Sequence, residues 1–157
     1  MKHLSAVMLC ALLLVVPVRS DADRQPLVLH VMYVKSPIVA LRDSAVGLAR
    51  GLLGKKYIFG ASSPKRGFDC SGLVQYVLGS LRVRLPRTVK DQAKAGTPVH
   101  GSLRPGDLLL FGKPMRHVGI YTGDGLYINA SSVAGRVVER PLRFETVTGA
   151  RRVIGSD

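Results

Sequence analysis

The sequence has no tryptophan, two cysteines, four histidines, and 10 acidic residues against 23 basic ones. Each shortage excludes something. Two cysteines cannot build the disulfide framework that holds many small exported folds together. No His/Cys group has metal-ligand spacing, so no metal or other cofactor is expected. No glycine-rich loop sits between a strand and a helix, which argues against phosphate cradling. The basic residues run from Arg24 to Arg152 without interleaved aromatics. No nucleic-acid-binding motif accompanies them, and nucleic acid is not an expected partner. Internal repeats and low-complexity tracts are also missing.

What remains is a chain of 157 residues, 46% of them hydrophobic, enough for one domain with a real core and hardly two. Its 17 glycines and 9 prolines mark many turns and argue against a helix bundle. The net charge of +13 draws the protein to polyanions, here an anionic cell wall or membrane surface. A monomer is expected.

Residues 1–20 read as a signal peptide. Lys2 and His3 form a basic start, and Leu4 to Val18 is an apolar run too short to span a bilayer comfortably. Cleavage is expected near Ser20 or Ala22, leading to the periplasm or cell envelope. Removing residues 1–20 leaves 21 basic and 10 acidic residues, a charge of +11. Cys10 follows Met8-Leu9 rather than small residues, so lipidation is not expected. Once the leader is gone, Cys70 is the only cysteine, a free thiol in an oxidising compartment.

Residues 21–36 form an N-terminal extension, with Leu27 to Val34 either an added edge strand or a segment lying across the domain. Residues 37–157 form the main domain. Ser36-Pro37 reads as a helix start. Ile38, Leu41, Ala45, Leu48 and Leu52 mark one face, with Gly54 as the stop. Ala61 to Gly67 reads as a loop. A second helix covers Cys70 to Leu78, capped by Asp69. A third runs from Thr88 to Ala95. After Gly101 the pattern turns to strands: Asp107–Phe111, His117–Thr122, Leu126–Ala130, Arg136–Arg140 and Arg151–Ile154. Gly123-Asp124-Gly125 is a hairpin turn. Helices first and an antiparallel sheet second give an α+β fold, with N-terminal helices packed on a C-terminal antiparallel sheet.

Chemistry centres on Cys70. The first turn of a helix offers unpaired N–H groups and a positive dipole end, and both favour thiolate. Such a nucleophile needs a base and a group to orient it. The candidates for the base are His30, His100 and His117. His117 opens an apolar strand beside a loop, which suits a catalytic imidazole. Asn129 lies on the neighbouring strand, where its carbonyl could accept the imidazole N–H and fix the tautomer. N–H groups at the helix start, with Tyr57, could hold an oxyanion.

Six pieces of the chain, from about Ala40 to Ile154, resemble the NlpC/P60 cell-wall peptidases, a papain-like fold group. They are Gly54–Gly60, Phe68-Asp69-Cys70-Ser71-Gly72-Leu73-Val74, Leu85-Pro86-Arg87-Thr88 with Gln92, Leu103–Leu108, His117–Gly125 and Ile128-Asn129-Ala130. The resemblance implies cysteine-dependent hydrolysis of an amide in peptidoglycan stem peptides, with γ-D-glutamyl-diamino acid the usual bond. It implies Cys70 as nucleophile, His117 as base and Asn129 in the third position, where the family often has histidine. Tyr57, Asp69 and Ser71 match positions that help receive the stem peptide, and Arg87 matches a frequent arginine that either meets a substrate carboxylate or braces the loop. Phe59 replaces a frequent tryptophan, Ala61 the second glycine of a pair, and Lys56 a common proline. An antibacterial toxin or lysin with the same chemistry, or a non-catalytic cationic wall-binding protein, are the alternatives.

Overall fold

The computed structural model describes residues 35–155. The expected signal peptide, its cleavage, Cys10, His30 and the strand Leu27–Val34 lie outside the described residues.

Helix α1 spans Pro37–Arg50. Its buried face differs from the apolar stripe expected of it. Arg42, Ala45, Val46 and Ala49 are buried, while Ile38 and Leu48 remain 47% and 39% exposed. The reason is a charge cluster that hydrophobic periodicity does not register. Arg42 donates to Asp107 Oδ1 at 3.3 Å, to the Pro105 carbonyl at 3.1 Å and to the Ile154 carbonyl. Asp107 is fully buried and also accepts from Arg152 Nε and Nη2 at 2.9 and 2.7 Å. The helix turns toward that cluster and ends at Arg50, before Gly54. Gly54 instead donates its N–H to the Val137 carbonyl.

The stretch read as a loop contains a small ribbon, β1 (Ser62–Ser63) paired with β2 (Gly67–Phe68). Helix α2 follows at Cys70–Ser80, with Asp69 as its N-cap accepting from the Gly72 N–H at 2.7 Å. Helix α3 is a single turn, Val89–Gln92, capped by Thr88 and shorter than the expected Thr88–Ala95.

The remaining elements are β3 (Thr97–Pro98), β4 (Leu108–Phe111), β5 (His117–Gly123), β6 (Leu126–Ser131), β7 (Arg136–Pro141), a 3₁₀ turn (Leu142–Phe144) and β8 (Val147–Arg152). They form a six-stranded antiparallel sheet in the order β3-β8-β4-β5-β6-β7. The last strand begins four residues before its expected start at Arg151, because Val147 to Arg151 pairs along β4. Its Thr-Gly-Ala stretch lacks the alternation that identifies a half-buried strand. The short edge strand β3 was likewise not expected. The β5–β6 hairpin turns at Asp124-Gly125, both with positive φ (50° and 70°), the twist that suits a two-residue hairpin.

One sheet face carries Leu108, Leu110, Val118, Ile120, Ile128 and Ala130, packed with Ala45, Ala49, Leu73, Val74, Val77 and Leu78 of the helices. A smaller cluster of Leu109, Phe111 and Tyr127 gathers Leu103, Tyr121, Leu142 and Val147. The result is the α+β fold expected from the element order, with helices covering an antiparallel sheet.

Candidate active site

Two close approaches assemble the site. The first is at Gly72, where a Cβ would stand 2.2 Å from the Ala61 carbonyl oxygen. Only glycine lets the start of α2 press against that loop. The second is at Gly119, where a Cβ would stand 2.7 Å from the Tyr127 ring. The missing side chain makes room for Tyr127 to lie across β5.

Cys70 opens α2 and is 9% exposed. The backbone N–H groups of Val118, Ser71 and Cys70 act on its sulfur in favour of the thiolate. Val118, the residue that follows His117 on β5, is thus among the groups close to the thiol. The expected thiolate preference does not hold in the free protein. Burial pushes the thiol above its ordinary value of 9.0, opposed by those N–H groups and aided by the Asp69 charge. Desolvation outweighs the helix terminus.

His117 starts β5, its ring 5.7 Å from that of Phe111. Burial holds its imidazole below the ordinary 6.5; Glu145 opposes this and Arg140 adds to it. At neutral pH both groups are therefore uncharged.

Asn129 is 2% exposed and stands 3.0 Å from His117 Nε2. The β5–β6 register, Ile120 opposite Ile128, sets Asn129 across from Gly119 and diagonal to His117. The amide presents its NH₂ end to the imidazole, whereas the sequence suggested its carbonyl. The same Nδ2 donates to Tyr127 Oη at 3.2 Å, and Tyr127 Oη donates to Glu145 Oε1 at 3.0 Å. Tyr127 is 1% exposed, and burial together with Glu145 pushes its phenol up to about 12. Sequence reasoning missed Tyr127 and Glu145. Their only signal was a tyrosine two residues before Asn129 on the same strand face.

Asp69, Ser71 and Arg87 form one cluster. Asp69 Oδ1 accepts from Arg87 Nη1 at 2.9 Å, and Oδ2 accepts from Arg87 Nη2 at 2.6 Å and from the Gly60 N–H at 2.8 Å. Arg87 Nη1 also donates to Ser71 Oγ at 2.9 Å. Burial alone would raise the Asp69 carboxyl; Arg87 and the Gly72 and Gly60 N–H groups outweigh it and hold the carboxyl below its ordinary value. Tyr57 sits near this cluster. Burial raises its phenol, and the charges of Cys70 and Asp69 raise it further. Gln92, fully buried, donates to the Ser71 and Pro86 carbonyls at 3.0 and 2.9 Å and braces the loop that carries Arg87. His100 lies elsewhere, in the lining of a hollow of about 500 Å³ with Met115, Val147 and Arg151.

The arrangement offers a buried thiol at a helix start, an imidazole on the adjoining strand and an amide holding that imidazole. Such a trio can perform acyl transfer.

Known proteins share this architecture. A gamma-DL-glutamyl hydrolase from Bacillus subtilis is 39% identical over 119 residues, covering 69% of this chain and 29% of that protein. Murein DD-endopeptidase MepH from Escherichia coli is 37% identical over 114 residues, 65% of this chain and 42% of that protein. The chain thus spans less than half the length of either relative. Among solved structures, the peptidoglycan hydrolase RipB from Mycobacterium tuberculosis superposes with a TM-score of 0.69 at 31% identity, covering 74% of this chain and 66% of that one. Residues 54–152, which hold Cys70, His117 and Asn129, match the NlpC/P60 family, and the chain belongs to that family.

Proposed function

We propose that the protein is an exported cysteine endopeptidase that hydrolyses an amide in peptidoglycan stem peptides. The observation that carries this reading is Cys70 opening a helix packed on β5, the strand whose first residue, His117, stands 3.0 Å from Asn129. The peptidoglycan hydrolase among the solved structures and the murein endopeptidase among the relatives support the substrate class.

In the proposed reaction His117 takes the Cys70 proton as the sulfur attacks the scissile carbonyl carbon. The C=O becomes an oxyanion, held by N–H groups at the start of α2 and the Tyr57 hydroxyl. Collapse breaks the C–N bond, and His117 gives its proton to the leaving amine. Water, deprotonated by His117, then attacks the thioester; the C–S bond breaks, the acid is released, and the proton returns to sulfur. Asp69, Ser71 and Arg87 shape the wall that receives the stem peptide and its free amine.

The bond is proposed to be γ-D-glutamyl-diamino acid, supported by the relative named a gamma-DL-glutamyl hydrolase. A second reading, a D,D cross-bridge, is favoured by the relative named a DD-endopeptidase. Export rests on the apolar run Leu4 to Val18, and the net charge of +13 suits an anionic wall.

Mass spectrometry of soluble products from purified peptidoglycan, with Cys70→Ala beside the parent, tests the reading. Stem fragments cut after D-glutamate, absent with the variant, are expected. Cross-bridge cleavage would move the bond to the second reading. Intact stems with the parent would leave a cationic wall-binding protein.

A further inference from the structure

Behind the proposed trio runs a chain of hydrogen bonds from half-buried His117 through buried Asn129 and Tyr127 to half-buried Glu145. Its directions follow from counting protons. Tyr127 Oη has one proton, and Glu145 Oε1, 3.0 Å away, can only accept it. Oη therefore faces Asn129 with a lone pair. At 3.2 Å that lone pair requires the NH₂ end of the amide, which is the end found there. The same NH₂ group lies 3.0 Å from His117 Nε2, so Nε2 must accept as well. The imidazole proton is then on Nδ1. Asn129 Oδ1 is left buried with no partner, which costs free energy in this state.

This state is mismatched to catalysis. Asn129 occupies Nε2, so Nδ1 is the nitrogen left for the thiol, and a base there needs a lone pair. The matched state has the amide turned by 180°. Oδ1 then accepts Nε2–H, and Tyr127 swings its proton from Glu145 to Oδ1. Glu145 keeps Arg140, whose Nη1 stands 3.7 Å from Oε1. Between the two states the amide and the hydroxyl turn, and the imidazole gives up its Nδ1 proton to solvent while taking one up at Nε2.

We infer that Tyr127 and Glu145 are positioning residues that set which end of the Asn129 amide faces His117, and through it which imidazole nitrogen carries the proton. Glu145 holds the free protein in the Nδ1–H state by claiming the Tyr127 proton. The inference rests on the proposed roles of Cys70 and His117, although its central observable does not require hydrolysis.

The test is NMR of isotope-labelled histidine in the full chain, with the His117 signal assigned by its loss in His117→Ala. The parent is expected to show the lone-pair signature at Nε2. In Glu145→Ala the hydroxyl is free to donate to Oδ1, and the signature is expected to move to Nδ1. Tyr127→Phe keeps the ring that packs on Gly119 but removes the hydroxyl, and a mixed signal is expected. The same tautomer in the parent and both variants would overturn the inference. A tautomer shift without hydrolysis by any of the proteins would leave the inference standing and remove the reaction instead.

Discussion

Arg87 and Asp69 meet through two parallel hydrogen bonds, 2.9 and 2.6 Å, 18 residues apart in the chain. The carboxylate also caps α2 and holds the Gly60 loop, so one ion pair joins three segments around Cys70. A paired fork of this kind is stronger and more directional than a lysine contact.

Arg87→Ala leaves the carboxylate with the Gly60 and Gly72 N–H groups and the Ser71 hydroxyl, 3.4 Å away. The expected loss is about 2 kcal/mol of stability, the scale of hydrogen bonds to a charged group. Arg87→Lys recovers less than half, since one ammonium cannot reproduce the fork. Urea unfolding of the three proteins checks both statements.

The same pair sets an acid limit. The folded Asp69 carboxyl lies below its ordinary 3.8, so the unfolded chain binds the extra proton first. Its contribution is present above 3.8 and is lost as pH falls through the lower folded value. In Arg87→Ala the folded value rises and this loss shrinks. Melting temperature followed through the acid range reads the difference.

Buried Cys70 and half-buried His117 are both neutral near pH 7. Thiolate absorbance in the ultraviolet is expected only on alkaline titration, above the ordinary thiol value of 9.0. The acid limb of kcat/KM, set by protonation of His117, is expected below 6.5. A thiolate already present at pH 7 would indicate a preformed ion pair instead.

Asp107 is fully buried between Arg42 and Arg152. Asp107→Ala strands Arg42, 5% exposed, and Arg152 without their carboxylate. Removing one partner from a buried pair costs about 3–5 kcal/mol. Denaturation is expected to show that loss with no change in the pH profile of hydrolysis, because the cluster touches α1 and β8 rather than Cys70.

Gly72→Ala brings a Cβ to 2.2 Å from a backbone oxygen that has no room to retreat. Overpacking of about 1–3 kcal/mol is expected, with the Cys70 turn displaced. Activity should fall further than stability, and single-turnover rates beside melting curves separate the two.

The elements whose signals are local were legible from the residues alone. Asp69 before Cys70, with Leu73, Val74, Val77 and Leu78 behind, specified α2, because a cap and a 3.6-residue stripe act within one helix. Asp124-Gly125 specified the hairpin that brings Asn129 to the strand of His117. Tertiary structure decided what depends on distant partners. The buried face of α1 follows from Arg42 meeting Asp107, 65 residues away. Val147 to Ala150 became a strand only by pairing with β4. The neutral states of Cys70 and His117 come from desolvation, which no local pattern reports. The orientation of the Asn129 amide was set by the proton on Tyr127 and by Glu145, 18 residues beyond that tyrosine, because a hydrogen bond takes its direction from the whole chain of donors and acceptors to which it belongs.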